Sequence, residues 1–431
     1  MSEEHTATAP TLQDCASGAL PPIETISADP GPSRVLALHI MGTFLVGSSW
    51  AIAYMLPFLA RERFGAANWQ TTVLTAAVPV TQFSAVYWNH LYARVGTRGY
   101  LLVVGVLGCA PVALLGAAQN IWHVMGLFVL AAMGGASGVA AMSPLNADLL
   151  RNCYQEIRRG RIFGLLSAFQ FLATMLAGQG MGAWLDRDHD AFRVFFPILA
   201  GLMVLGLLCF GAITRRPSWR VRARAQITPG AHWWAPLRDM VGTLRGDRRF
   251  AGYESAFMSY GVGWMICTAL VPVLATDRLH LNYSQFSKAT IVAFQLTNIS
   301  LLAPMGWMVD RVGPMRLARA SFLWLAVYPL GLMLADGAVG LGCCAALYAV
   351  GMVGVQLTWT LGPVSLAEDS TKAPHYLAIH STLVGVRGIV AQGIGMAIYT
   401  LTGSFVAPLA IAAAGFLWAS RRMRKLLREP A

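Results

Sequence analysis

The sequence predicts an all-α membrane protein in which twelve transmembrane helices form two pseudo-symmetric six-helix bundles. Three observations carry this. Of 431 residues, 56% are hydrophobic and only 12% charged, a composition too apolar for a water-soluble globule. Twelve apolar stretches each approach the roughly 20 residues that a helix needs to cross a bilayer. Finally, elements of the first half recur in the second at a nearly constant offset.

Taken in order, residues 1–33 are rich in Ser, Thr, Pro, Ala and acid and contain no basic segment followed by an apolar core. They are expected to be a disordered cytoplasmic tail rather than a signal peptide. The apolar spans follow at 36–60, 70–92, 99–118, 121–148, 162–184 and 194–214, then at 250–275, 285–308, 316–335, 338–362, 377–400 and 403–420. One long polar connector, 215–249, separates the sixth from the seventh and contains the basic run RRPSWRVRAR. The expected division is an N-terminal bundle over 34–214, a cytoplasmic linker over 215–249, a C-terminal bundle over 250–423 and a basic tail over 424–431.

The repeat rests on four matches. Arg94, Val95 and Gly96 correspond to Arg311, Val312 and Gly313, and Gly47-Ser-Ser-Trp50 corresponds to Gly261-Val-Gly-Trp264. Gln179-Gly180-Met181-Gly182 corresponds to Gln392-Gly393-Ile394-Gly395, and Pro144 to Pro363. The offsets drift only from 213 to 219, which composition alone does not produce. Two parallel halves about an axis along the membrane normal follow.

Orientation follows from basic residues. With both termini inside, the inner segments hold 25 of the 32 Lys and Arg and the outer loops hold five, a strong positive-inside asymmetry. The net charge of +12 is thereby accounted for by short loops, so no nucleic-acid partner is expected. The expected setting is a bacterial-type inner membrane, with the chain acting as a monomer. Seven scattered cysteines show no ligand spacing and read as reduced packing residues.

The turn Gly306-Trp-Met-Val-Asp310-Arg311-Val312-Gly313-Pro-Met-Arg316 resembles the signature loop of the major facilitator superfamily, as do the six-connector-six layout and the basic turn Glu156-Ile-Arg158-Arg159-Gly160-Arg161. The resemblance covers nearly all of the chain beyond residue 33. It implies alternating access, in which a central cavity between two bundles opens to one side at a time. The first-half copy of the turn has Asn89 and Ala93 where the superfamily has Gly and Asp. A carboxylate at such a turn can meet the positive end of a helix and nearby Arg side chains. The gating set is therefore Asp310, Arg311, Gly306, Gly313 and Arg316, with Arg94 and Gly96 in the weaker copy, and Asp310 is expected to face the start of the fifth helix at Arg158, Arg159 and Arg161.

Polar groups at mid-membrane depth are costly and mark functional candidates. Arg387 lies near the middle of the eleventh span, flanked by Gly385 and Gly388. An anionic solute group would satisfy its fork of donors; a structural role, bonded to carbonyls or to a Glu, is the alternative. Trp50 and Tyr54, and Tyr260 and Trp264, are pairs four apart that suit cavity walls or simple packing. Gln170, Gln295, Asn298, Gln356 and Trp359 complete the candidate solute-binding set, with interhelical bonding as their alternative role. Glu254 and Lys288 are expected to snorkel to the interfaces, and His39, His90 and His380 to pack near the cytoplasmic ends. No carboxylate is expected deep in a span, since Asp148 and Glu254 lie at cytoplasmic ends, which argues against a proton carrier unless Glu254 or a histidine serves. No metal cluster, phosphate loop or nucleophile arrangement is present in the sequence, so no metal, no cofactor and no enzymatic activity are expected. The partners implied are a small-molecule substrate, favoured as an organic anion, and the lipid bilayer. Export of amphipathic compounds and a non-transporting solute sensor are the alternatives.

Overall fold

The computed structural model describes residues 32–135, 139–215, 219, 235–366 and 373–428. Residues 1–31 of the expected tail and 216–218 and 220–234 of the connector lie outside the described residues, as does the end of the basic tail at 429–431, while residues 32 and 33 belong to the first helix rather than to the tail. Within the described residues all regular secondary structure is helical, and no strand occurs.

Twelve helical rods emerge at the expected places. In the first half they are α1 (32–64), α2 (68–95), α3 (97–115), α4 (Ile121–Met133 and Val139–Cys153), α5 (Glu156–Leu185) and α6 (Phe192–Ile213). A connector helix, Ala235–Gly246, precedes the second half. There follow α7 (Arg248–Arg278), α8 (Tyr283–Val312), α9 (Pro314–Leu334), α10 (Gly337–Leu366), α11 (Ala373–Thr402) and α12 (Val406–Leu426). Nine segments among the described residues are long and apolar enough to cross a membrane. A stretch of 20 residues rises about 30 Å, the thickness of the hydrocarbon core.

Local chemistry sets the boundaries and breaks. Gly96 (φ 70°) and Gly313 (φ 80°) separate α2 from α3 and α8 from α9, so both copies of the repeated turn use a conformation that favours glycine. The span expected at 36–60 is present, and within it α1 breaks between Gly47 and Trp50. Ser48 and Ser49 hydroxyls donate back to the carbonyls of Leu45 (2.7 Å) and Val46 (2.8 Å), and Thr174 of α5 donates to the carbonyl of Gly47 (2.9 Å). Those side-chain bonds draw the carbonyls away from the helical ladder. In α3 a π-turn over Gly105–Cys109 stands just before Pro111, where the missing proline N–H already interrupts the ladder.

The two halves repeat the same internal packing. α1 packs on α6 as α7 packs on α12, and the halves meet where α2 touches α11 and α5 touches α8. Each half has its own aromatic core, including Phe128, Phe192, Phe196 and Phe210 in the first and Phe257, Tyr260 and Phe322 in the second, all fully buried. Gly134, at the end of the first part of α4, lies so close to α3 that a Cβ there would overlap the backbone of Leu107 and Gly108. Because backbone cannot move aside as a side chain can, Gly134→Ala is expected to lower stability by about 2–3 kcal/mol. Thermal unfolding of the purified protein in detergent checks this, and an unchanged midpoint would contradict it.

Candidate solute site and gates

The candidate site lies within the second half, where α7, α10 and α11 converge. Arg387 of α11 is 2% exposed. Its Nη1 donates to the Phe257 carbonyl of α7 (2.5 Å), while Nε and Nη2 have no hydrogen-bond partner among the described residues. The guanidinium carbon lies 5.5 Å from the Tyr260 ring, 5.8 Å from Trp264 and 5.5 Å from Trp359. Such ring faces attract a cation but leave its hydrogen-bonding capacity unused. The sequence folds this way because Gly261 removes a side chain that would overlap the guanidinium. Gly385 and Gly388 face the other way, where they admit Phe83 and Pro79 of α2.

Two turns nearer the connector end, Glu254 of α7 (3% exposed) meets His380 of α11 (1% exposed). Nδ1 of the imidazole lies 2.9 and 3.0 Å from the two carboxylate oxygens. This corrects two expectations: Glu254 does not snorkel, and His380 is not an interfacial packing residue. The physical reason is that Tyr253, Phe257 and Trp359 close around the pair, with the Trp359 ring 4.3 Å and the Phe257 ring 4.9 Å from His380. The imidazole satisfies the carboxylate where water cannot reach. Glu254 stands near the connector end of α7, as expected, and is buried there by lateral packing. Trp359 touches both His380 and Arg387, so the two polar groups share one aromatic wall. His39 is likewise buried rather than interfacial, and bonds to the Tyr154 hydroxyl (3.0 Å). The side chain of His90 lies outside the described residues, whereas Lys288 is exposed, as snorkelling requires.

Of the other expected site residues, Tyr54 interacts with Gln295 across the two halves and packs against Phe294. Asn298 is buried, its amide donating to the Phe294 carbonyl (2.9 Å), and Oδ1 of Asn298 and Oε1 of Gln295 have no partner among the described residues. Gln170 packs on Gly47 at the break in α1. Trp50 is half-buried beside that break, and Gln356 is exposed on α10. The structure thus groups Arg387 with Tyr260, Trp264 and Trp359, and Tyr54 with Gln295. It does not bring Trp50, Gln170 or Gln356 to the Arg387 cage.

The halves are clamped at the end opposite the connector. Arg61 of α1 forks onto Asp277 of α7 (2.6 and 2.8 Å) and donates to Thr276 (2.9 Å). The Asp186 carboxylate at the end of α5 accepts from the backbone N–H groups of Tyr283 (2.9 Å) and Ser284 (3.1 Å) at the start of α8, a charge placed on the positive end of a helix. Asn68 donates to Thr400 (3.1 Å), and Phe58 stacks on Phe286 with centroids 4.2 Å apart. Beside this clamp, the Arg63 hydrogen bond holds the exposed Asp190 carboxyl below its ordinary value.

At the connector end no described hydrogen bond crosses between the halves. Asp310 is exposed and unpaired among the described residues, and Arg311 lies 3.7 Å over the Trp307 ring of its own helix. Arg94, Arg158, Arg161 and Arg316 are exposed, Arg159 donates to the carbonyls of Tyr154 and Arg151, and a Cβ on Gly306 would meet open space. The expected contact between Asp310 and the start of α5 is not formed in this conformation.

Sequence reasoning missed the clamp, although a signal existed. Asp277 stands 216 residues beyond Arg61, inside the range of the repeat offset, so a twofold axis brings the two opposite charges together. Arg61→Ala is expected to loosen this end by about 1 kcal/mol, since the pair is only partly buried (12% and 35% exposed). Labelling of a cysteine introduced at Ala66, 5% exposed beside the clamp, should quicken several-fold in Arg61→Ala, and the charge exchange Arg61→Asp with Asp277→Arg should restore protection; equal labelling with and without Arg61→Ala would contradict the clamp.

Two six-helix halves, an aromatic site between helices and a clamp at one end define a transporter-type helical bundle. The Major Facilitator Superfamily profile matches residues 38–398, and the chain belongs to that family. It is 23% identical over 244 residues to the multidrug resistance protein MdtH of Enterobacter sp. (strain 638), covering 56% of this chain and 54% of that one. It is 25% identical over 296 residues to the multidrug resistance protein MdtG of Salmonella arizonae, covering 65% and 68%. The chain therefore spans about half the length of the first of these relatives. Among solved structures, a peptide transporter POT in complex with sulfate aligns with TM-score 0.71 at 15% identity, covering 92% of this chain and 94% of that one. The nucleoside transporter NupG aligns with TM-score 0.69 at 12% identity, covering 92% and 100%. These likenesses establish the fold.

Proposed function

We propose that this chain is a secondary transporter that moves a small organic solute by alternating access, and that the solute carries an anionic group received by Arg387. The observation that carries this reading is a buried guanidinium with two unpaired N–H donors inside an aromatic cage. A carboxylate or phosphate would complete its hydrogen bonding, and a flat apolar portion of the same solute would lie against the half-buried Trp264 and Trp359. Tyr54, Gln295 and Asn298 contribute further polar contacts from the α1 and α8 side. The basic-residue asymmetry supports cytoplasmic placement of both termini. The clamped end is then outward and the conformation inward-facing. In the opposite state Asp310 would close on the start of α5 around Arg158, Arg159 and Arg161.

The buried carboxylate–imidazole contact of Glu254 and His380 is the proton carrier this reading assigns to the cycle. Export of amphipathic compounds is the second reading, favoured by the aromatic cage and by the names of the relatives. Flux in proteoliposomes tests the proposal: organic anions should be transported by wild type and not by Arg387→Gln. Saturable binding without flux would make the chain a sensor, and flux of hydrophobic cations indifferent to Arg387→Gln would favour the exporter.

A further inference from the structure

A groove of about 450 Å³ opens at the connector end, between the connector helix, the start of α7 and the end of α12. Three cations line it, Arg248, Arg422 and Lys425, together with the apolar side chains of Leu244, Ala251 and Leu426; among the described side chains no carboxylate lines it. The carboxylate next in sequence, Asp247, already accepts from the Phe250 N–H (2.9 Å) and the Tyr376 hydroxyl (2.7 Å). Arg422 is tethered, donating through Nε (3.3 Å) and Nη2 (3.1 Å) to Ser255 Oγ, so its charge is held at the wall rather than swept through solvent. Gly252 keeps the space open, since a Cβ there would press on Leu426 at 3.3 Å.

Three solvated cations on a flat surface would carry no inference. Here they converge on a concavity with apolar walls, at the edge of the membrane-spanning part of α7 and α12. Leu417 and Trp418, one to two turns deeper on α12, are exposed (41% and 55%) and face outward from the bundle. Val241 of the connector helix is exposed too, at 41%. A ligand suited to this place is anionic at one end and apolar at the other.

We propose that the groove binds the headgroup of an anionic phospholipid of the adjoining leaflet. The phosphate lies among Arg248, Arg422 and Lys425, the glycerol region passes Leu244 and Leu426, and an acyl chain runs along α12 toward Trp418. Basic pockets at the membrane boundary bind anionic headgroups in this way, with about five-fold in affinity per cation. The bound lipid would tie the connector helix to the second half. The inference is independent of the solute reading, because none of these residues touches Arg387.

The test uses the full chain purified in a neutral detergent and titrated with phosphatidylglycerol, phosphatidylcholine or inorganic phosphate, read by native mass spectrometry and by the thermal midpoint. Phosphatidylglycerol is expected to bind and stabilise wild type, with phosphatidylcholine and inorganic phosphate inactive. Removing Arg248, Arg422 and Lys425 together as glutamines should abolish the preference, whereas replacing the exposed Arg421, Arg424 and Arg428 of the same helix end should preserve it. Where the triple variant does not fold, Lys425→Gln alone should weaken phosphatidylglycerol binding about five-fold. Unchanged binding in the groove variants overturns the proposal. Equal stabilisation by inorganic phosphate also overturns it, in favour of a site for a soluble anion.

Discussion

Arg387→Gln is expected to raise the KM for an organic anion by about ten- to a hundred-fold, with protein folding and membrane insertion retained. A hydrogen bond to a charged group contributes about 1.5–3 kcal/mol, which corresponds to that range of affinity. The bond is worth this much because the guanidinium is 2% exposed and its Nε and Nη2 have no hydrogen-bond partner among the described residues. Arg387→Lys should recover part of the loss, since an ammonium keeps the charge but not the planar fork. Concentration-dependent uptake into proteoliposomes separates the outcomes. A KM unchanged in Arg387→Gln would return the residue to the structural role, bonded to the Phe257 carbonyl alone.

The second large effect concerns the buried pair below it. Glu254→Leu is expected to cost about 3–5 kcal/mol, because removing one partner strands the other polar group in a low-dielectric interior. The double variant Glu254→Leu with His380→Leu should be far less destabilised than the single changes combined, since both polar groups then leave together. A double-mutant cycle of unfolding in detergent measures this coupling, and additive single effects would contradict it. The conservative change Glu254→Gln keeps shape and a hydrogen bond while removing the titratable carboxyl. It should abolish uptake driven by a pH gradient and leave counterflow, in which solute exchanges for solute, largely intact. Loss of both would place the pair in structure rather than in coupling.

Much of this architecture is legible in the amino-acid order. Hydropathy and length mark nine of the spans among the described residues, because each helix must satisfy its own backbone in hydrocarbon over about 20 residues. The paired turns at Gly96 and Gly313 are legible because both halves need the same positive-φ break. The depth of Arg387 follows from its place midway along α11. What composition hides is lateral packing. Glu254 stands six residues from the start of α7, where a free helix would let it reach the interface. Tyr253, Phe257, Trp359 and His380 instead close over it, and that depends on three helices meeting. The break at Gly47–Trp50 is hidden for the same reason, since it needs Thr174 of α5 to take the Gly47 carbonyl. The Arg61–Asp277 clamp stands between these cases, written in the repeat offset but meaningful only once the axis is known.

The central claim is that Arg387 receives an anionic solute, and a thermal-shift screen tests it most directly. A panel of organic anions, neutral metabolites and hydrophobic cations would be offered to purified wild type and to Arg387→Gln. A ligand at 100 times its Kd raises stability by about 2.7 kcal/mol, a shift large enough to read. Anions that stabilise wild type and leave Arg387→Gln unmoved are the expected result; stabilisation by neutral or cationic compounds alone, equal in the two proteins, would contradict the account.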